Sequence, residues 1–236
     1  MSLNLDDVKE LIKKYDLLKT RFYEAWQTGR ASLHDIREYV CAYYHHIEGF
    51  PRAIALIYAG CDNYNIRKIL FENIAEEEGF SGEARHSDLW IDFATSLSIS
   101  EDYIRNNAKY SVHAMNLLKA FTDCAYFSYE QGLGALYAYE YSFATLSQAK
   151  LKIMTEFYGY KLDDKALSFF KVHSELDIWH TKQIEDAIMM LNDKKKIELV
   201  YKGAEMLCKA FYSFLDEYMY QEIHIDKKYL NVEYAL

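Results

Sequence analysis

Residues 135–158, ALYAYEYSFATLSQAKLKIMTEFY, form the stretch that best indicates the fold of this chain. The stretch holds neither glycine nor proline and is followed directly by Gly159, which predicts one long helix that ends there. Helical spacing recurs elsewhere, and the clearest apolar stripe has steps of three and four residues, at Leu11, Tyr15, Leu18, Phe22 and Trp26. We therefore predict an all-α protein.

Helix boundaries are predicted from capping residues and helix breakers. The first helix is expected to contain the apolar stripe and to end near Gly29. Pro51 predicts a kink or a new helix start, and residues 131–134, QGLG, predict a break or kink. Followed along the chain, the pattern gives a bundle of seven to nine helices in one domain over residues 1–220, with a C-terminal tail over residues 221–236.

The amino-acid composition supports one sizeable hydrophobic core. The 236 residues are 51% hydrophobic and 16% aromatic, which excludes a disordered chain and favours a single domain. Only 9 glycines and 1 proline are present, too few for the many tight turns of a β-sandwich or barrel. The 22 tyrosines are unusual, because a buried tyrosine needs a partner for its hydroxyl group.

Charge and cysteine content narrow the expected partners and compartment. The formal net charge is −9 and no basic stripe is present, so nucleic acid is not expected as a partner. No segment reaches the ~18 apolar residues of a membrane span, so no membrane partner is expected. The four cysteines are scattered and form no CxxC motif, which predicts a reducing, cytoplasmic compartment.

The sharpest local motif is His173-x3-Asp177-x2-His180. At 100° per residue these side chains lie within roughly 60° of one another on a helix. Two imidazoles and a carboxylate on one face suit a transition metal. The alternative is a solvated polar helix face, which spacing alone does not exclude.

Further candidate ligands lie on other predicted helices. Glu140 stands in an apolar and aromatic segment, where a carboxylate needs a cation or a proton unless it lies at the surface. Glu77 ends one helix, and His86 opens the next. Four helices would then supply six ligands, and facing carboxylates and imidazoles are how bundles hold a di-iron or di-manganese centre. The six are Glu77, His86, Glu140, His173, Asp177 and His180.

At these residues the sequence resembles the heme-oxygenase-like di-metal oxidases, relatives of TenA and PqqC, and within them the CADD-like branch. The resemblance covers most of the chain. It is carried by the His173 to His180 motif and by RFYEAW (21–26), YYHHIEGFP (43–51), NIAEEEG (73–79), HSDLW (86–90) and YAYE (137–140).

The resemblance implies the heme-oxygenase-like fold and the same six residues as ligands of a dinuclear Fe/Fe or Mn/Fe centre. The loop before His86 is about two residues longer than in the CADD-like proteins, which leaves the choice between Glu76 and Glu77 open. The implied activity needs O₂ and an external reductant, and it forms para-aminobenzoate for folate biosynthesis.

By resemblance the substrate is internal: Tyr23 is sacrificed, Lys150 supplies the amino group, and Tyr39 lies near the centre. Lys150 lies about 15 Å along the helix from Glu140, so its reach to the metals is not obvious. On their own, Tyr23 and Tyr39 are also consistent with packing and Lys150 with a solvated lysine. Other tyrosines on the same helices are Tyr43, Tyr44, Tyr137, Tyr139 and Tyr141, and His46 is a candidate partner of the site.

Three other functions stay open on the sequence. A di-metal oxidase could act on a diffusible small molecule. A metal-free TenA-like hydrolase or PqqC-like oxidase is another possibility, although TenA-type hydrolysis needs a reactive cysteine. The CADD-like branch is also named for association with host death domains, and a homodimer is expected.

Overall fold

The computed structural model describes residues 3–80, 82–108 and 111–218 of the chain. Within them the chain is helical and contains no strand. The ten α-helices are α1 (Leu5–Lys14), α2 (Arg21–Gln27), α3 (Leu33–Gly60), α4 (Tyr64–Glu77), α5 (His86–Ser96), α6 (Glu101–Asn106), α7 (Val112–Phe127), α8 (Tyr129–Phe157), α9 (Ser168–Met189) and α10 (Lys194–Ser213). Short 3₁₀ turns precede α2 and α9, and a π-helical turn, Phe214–Tyr218, follows α10. The predicted tail, 221–236, lies outside the described residues.

The first predicted helix is two helices in the structure, which accounts for ten helices rather than nine. α1 ends at Lys14, and Leu17–Lys19 form a 3₁₀ turn before α2 begins. The carboxylate of Asp16 accepts the backbone N–H of Leu18, and the Thr20 hydroxyl donates to the Leu17 carbonyl. These local bonds compete with helix continuation, although the apolar stripe passes through them unbroken.

Pro51 does not begin a new helix, which was one of the two outcomes predicted for it, because α3 runs continuously from Leu33 to Gly60. The predicted break at residues 131–134 is absent too, and Gly132 and Gly134 lie inside α8.

Gly134 serves close packing between helices. A Cβ atom there would lie 1.9 Å from the carbonyl oxygen of Val200 on α10. Gly203 of α10 is constrained in the same way, since its Cβ would lie 1.9 Å from the Gln131 carbonyl oxygen. The glycines therefore let the two helix backbones touch.

The long helix α8 occupies the middle of the bundle. It packs against α7, α9 and α10, and also contacts α3. Its residues from Tyr129 to Glu140 are all buried, so it presents polar as well as apolar side chains to the interior. One hydrophobic cluster extends from α1 to the turn after α10. Among the described residues, no helix combines the length and the apolar character needed to cross a membrane.

Candidate metal centre

The structure brings all six predicted ligands together in the interior. Glu77 comes from α4, His86 from α5, Glu140 from α8, and the other three from α9. Each of the six residues is at most 4% exposed. They form two groups, and within each group the candidate ligand atoms lie within 4.8 Å of one another. We call these the first triad (Glu77, His86, His173) and the second triad (Glu140, Asp177, His180).

A tight turn after α4 positions the first triad. Gly79 adopts a φ of +69°, and a Cβ atom there would lie 2.6 Å from the Glu83 carbonyl oxygen. Arg85 fixes the end of the loop through ion pairs with Glu78 at 3.1 Å and Glu48 at 3.2 Å. His86 then opens α5 beside α4.

The open choice between two neighbouring glutamates has a geometric answer. The Oε2 atom of Glu77 lies 3.0 Å from Nδ1 of His86, inside the first triad. Glu76 points elsewhere, and its Oε2 atom lies 2.5 Å from Nε2 of His180. Its side chain is 26% exposed, so Glu76 lies at the edge of the site rather than within a triad.

The interior also links the two triads. Nδ1 of His173 and Oδ1 of Asp177 form a hydrogen bond of 2.9 Å. Nδ1 of His180 lies 3.7 Å from Oε2 of Glu140. Asn73 of α4, which the sequence analysis did not single out, donates to Glu140 at 3.5 Å. The only sequence signal for Asn73 is its place at the start of the NIAEEEG segment, four residues before Glu77.

Several buried ligand atoms lack a hydrogen-bond partner within the described part of the chain. They are Nδ1 of His86, Nε2 of His173, Oδ2 of Asp177 and Nδ1 of His180. Buried polar atoms are rarely left unsatisfied, and each costs about 1–3 kcal/mol when it is. Three carboxylates and three imidazoles with free donor atoms fit two transition-metal ions. The solvated-face alternative is wrong, because all three α9 side chains are buried.

The pKa values of the ligands are shifted because several ionisable groups are buried close together. Burial, and then the Glu140 carboxylate, hold the pKa of Asp177 well above its usual range. Burial and the neighbouring His86 push the pKa of His173 well down. For His180, burial opposes protonation, but the neighbouring carboxylates of Glu140 and Glu76 outweigh it and raise the pKa to about 10. Without metal, protons therefore supply part of the missing positive charge.

The predicted catalytic residues form a second cluster beside the ligands. Lys150 is fully buried, and its Nζ atom donates to the Tyr39 hydroxyl at 2.9 Å. The same atom lies 5.9 Å from the ring centroid of Tyr23. Phe143 separates this cluster from the ligands, with its ring centroid 5.0 Å from Nζ and 5.2 Å from the His173 ring. The solvated-lysine alternative is therefore wrong.

Burial changes the acid–base character of this cluster. It lowers the pKa of Lys150 to about 7, so much of the amine is uncharged near neutral pH. It raises the pKa of Tyr23 well above its usual range, which keeps that phenol protonated. Near neutral pH the cluster thus places an amine that is about half uncharged beside two protonated phenols.

A row of tyrosines connects the two clusters. The hydroxyls of Tyr43 and Tyr139 are 2.8 Å apart, and Tyr139 precedes Glu140. The ring of Tyr43 stacks on that of Tyr39, with centroids 5.5 Å apart. His46 lies beside this row with its ring 5.3 Å from Tyr139, and burial lowers its pKa to about 3.

The cysteines are poor nucleophiles. Burial raises the pKa of Cys41 and Cys124 to about 11 and that of Cys208 to about 12. It also raises the pKa of Cys61. The reactive thiolate that TenA-type hydrolysis requires is therefore disfavoured at all four positions.

Comparison with known proteins identifies the family. A family model described as iron-containing redox enzyme matches residues 37–212. Among curated proteins, the 4-aminobenzoate synthase of Chlamydia pneumoniae is 30% identical over 88% of this chain and 91% of its own length. The 4-aminobenzoate synthase of Nitrosomonas europaea is 29% identical over 89% of this chain and 88% of its own.

Solved structures show the same fold. A heme oxygenase-like domain from Shewanella denitrificans superimposes with a TM-score of 0.80 at 17% identity, covering 93% of each chain. A CADD-like protein from Nostoc punctiforme gives a TM-score of 0.74 at 18% identity, covering 93% of this chain and all of the other. The all-α, heme-oxygenase-like prediction is confirmed. The chain belongs to the iron-containing redox enzyme family and is an oxidoreductase.

Proposed function

We propose that this iron-containing redox enzyme is an O₂-dependent di-metal oxygenase that makes 4-aminobenzoate, also called para-aminobenzoate, for folate biosynthesis. In this proposal the aromatic ring comes from Tyr23 of the chain itself, and Lys150 provides the amino group. The observation that carries the proposal is the enclosed amine: Lys150 is fully buried, is hydrogen-bonded to Tyr39 and faces the ring of Tyr23.

The six triad residues are the proposed ligands of an Fe/Fe or Mn/Fe pair. Imidazole and carboxylate donors suit both metals, and the unsatisfied donor atoms of both triads support binding. When bound, the metals would activate O₂ with electrons from an external reductant. The chain's own contribution is a set of six buried donor residues that lie together in the interior.

The Lys150 cluster is proposed to hold the reacting groups in a dry environment. An amine must be unprotonated to act as a nucleophile, and burial moves Lys150 toward that form. The hydrogen bond to Tyr39 fixes the direction of Nζ, and aromatic rings enclose it, including Trp90 at 5.8 Å and Phe170 at 5.2 Å. Such enclosure excludes water and keeps the amine beside Tyr23.

The curated relatives support the product assignment. Those from Chlamydia pneumoniae and Nitrosomonas europaea carry the name 4-aminobenzoate synthase. Their similarity covers 88% and 89% of the chain, so it includes both triads. Homodimer formation and binding to host death domains stay predictions from the resemblance.

The proposal is tested by isotope labelling in one turnover. Protein labelled with ¹³C in the tyrosine ring and ¹⁵N in the lysine amine is loaded anaerobically with Fe(II) alone or with Mn(II) and Fe(II). It is then exposed to O₂ and reductant. We expect no more than one doubly labelled 4-aminobenzoate per chain, together with a mass change in the peptide that contains Tyr23.

The controls separate an internal from a diffusible substrate. Tyr23→Phe should form no product, whereas Tyr15→Phe, at a half-buried tyrosine outside the cluster, should behave as wild type. Product that forms while Tyr23 stays intact, or several turnovers per chain, would favour a di-metal oxidase acting on a diffusible small molecule.

A further inference from the structure

We propose that Glu76 is a positioning residue for the metal centre: its carboxylate accepts the Nε2 proton of His180 and so leaves Nδ1 as the metal-binding atom. The inference rests on the proposed metal centre and concerns a residue outside both triads. It assigns a function to Glu76, the one of the two candidate glutamates at the end of α4 that does not belong to a triad.

The two nitrogens of His180 have different surroundings. Nε2 lies 2.5 Å from Oε2 of Glu76. Nδ1 faces the interior, 3.7 Å from Oε2 of Glu140, and has no hydrogen-bond partner among the described residues. A neutral imidazole carries its proton on one nitrogen and its lone pair on the other. The carboxylate of Glu76 therefore selects the tautomer whose lone pair points toward the second triad.

Glu76 is placed to orient His180 rather than to bind metal. It is adjacent to Glu77, and successive helix residues project about 100° apart, so the two side chains diverge. Glu77 enters the first triad, whereas Glu76 lies beyond the imidazole of His180 and is partly exposed. A carboxylate that accepts the second N–H of a metal-binding histidine fixes the ring and makes it more basic, and its loss typically weakens metal binding 10- to 100-fold.

The chain provides a matched control on the same pair of helices. Glu72 lies one helical turn before Glu76 on α4, and its carboxylate accepts from Nε2 of Gln183 on α9 at 3.3 Å. Both glutamates therefore link α4 to α9, but only Glu76 contacts a triad histidine. Removal of the Glu72 carboxylate therefore measures the effect of losing a helix–helix contact, together with an exposed 3.9 Å ion pair to Lys68, without touching a triad residue.

The test is an anaerobic Co(II) titration of metal-free protein, followed by calorimetry and by visible absorption of the bound ion. Wild type should bind two equivalents. Glu76→Ala should still bind two, one of them 10- to 100-fold more weakly and with altered Co(II) absorption bands. Glu76→Gln keeps a similar shape and an acceptor oxygen, so its affinity should lie between those of wild type and Glu76→Ala. Glu72→Ala should titrate as wild type.

Other results overturn the inference in distinguishable ways. Equal Co(II) binding by Glu76→Ala and Glu72→Ala would leave Glu76 without a positioning role. Loss of one whole equivalent in Glu76→Gln would make Glu76 a ligand instead. If wild type bound no Co(II), the proposed metal centre itself would fail. Far-UV circular dichroism of each metal-free variant checks that it is folded. If Glu76→Ala does not fold, Glu76→Gln still tests the inference.

Discussion

The amino group of Lys150 and the hydroxyl of Tyr39 form a hydrogen bond of 2.9 Å in which neither side chain is more than 1% exposed. Lys150 comes from the central helix α8 and Tyr39 from α3, and no carboxylate is hydrogen-bonded or ion-paired to the amine among the described contacts. A buried lysine that is hydrogen-bonded to a neutral phenol destabilises the folded state when its amine is protonated. The arrangement therefore links the proposed chemistry to a measurable effect of pH on stability.

The first prediction concerns Lys150→Met in metal-free protein. Burial lowers the folded pKa of Lys150 to about 7 from 10.5, so between these values the unfolded chain binds more protons than the folded one. The contribution of Lys150 to the free energy of unfolding of wild type therefore rises with pH between about pH 7 and 10.5. The free energy of unfolding of Lys150→Met minus that of wild type should decrease by on the order of 1 kcal/mol per pH unit between pH 8 and 10.

Urea unfolding of both proteins at pH 8, 9 and 10 measures this difference. Taking the difference cancels titrating groups that the two proteins share, including His180. Lys152→Met is the matched control, because Lys152 is exposed on the same helix. The difference in free energy of unfolding between Lys152→Met and wild type should not change with pH. A pH-independent gap for Lys150→Met would contradict a depressed pKa.

The second prediction concerns protons released when metal binds. Against the effect of burial, carboxylates beside His180 raise its pKa to about 10, so it is protonated in metal-free protein near neutral pH, and burial shifts Asp177 toward its protonated form. Metal binding requires the deprotonated ligands, and affinity should therefore increase as pH rises from 6 to 9. Calorimetric Co(II) titrations in buffers of different ionisation enthalpy should show net proton release, and binding enthalpies independent of buffer would contradict the prediction.

The third prediction separates metal binding from stability at Asp177. Asp177→Asn removes a buried carboxylate beside Glu140 without changing the side-chain volume much. We expect metal-free Asp177→Asn to be as stable as wild type or up to about 1 kcal/mol more stable, because the amide is always uncharged beside Glu140, whereas the acid must be either protonated or buried as a like charge. It should nevertheless bind one fewer equivalent of Co(II).

Thermal unfolding with and without Co(II) tests the Asp177 prediction. Wild type should gain stability from the metal by mass action, whereas Asp177→Asn should gain less. Glu175→Gln, at an exposed position of the same helix, should match wild type in both measurements. Strong destabilisation of metal-free Asp177→Asn would mean that the carboxylate stabilises the apo fold.

The fourth prediction concerns the contact between α8 and α10. Gly134→Ala would place a Cβ atom 1.9 Å from the Val200 carbonyl oxygen, and a backbone atom cannot rotate away. Overpacking of this kind should destabilise the protein by roughly 1–3 kcal/mol or more and should displace the helix that carries Glu140.

Gly60→Ala is the matched control for Gly134→Ala. Gly60 ends α3, and its nearest neighbours would lie 4.0 Å from an added Cβ atom. This variant should be neutral or stabilised by about 0.4–1 kcal/mol. Urea unfolding measures both, and equal stability of the two variants would contradict close packing at Gly134.

Much of the fold and of the site was predictable because helix periodicity is a local property. The spacing of His173, Asp177 and His180 places them on one helix face whatever surrounds that helix. Periodicity does not predict whether a helix continues through a proline or a glycine. Pro51 lies within α3 and Gly134 within α8, where the missing side chain allows close contact with α10. Local propensity is a weak guide at such positions, because tertiary context can override it.

The sequence by itself therefore determined an all-helical chain with metal-binding residue types at matching positions of four helices. Only the tertiary structure decided which faces meet. In the folded chain Glu77 lies in the first triad, whereas Glu76 contacts His180. Lys150 is buried against Tyr39 and Tyr23. Such choices depend on how helices distant in sequence pack, because packing sets which side chains lose contact with water and so which charges need a partner.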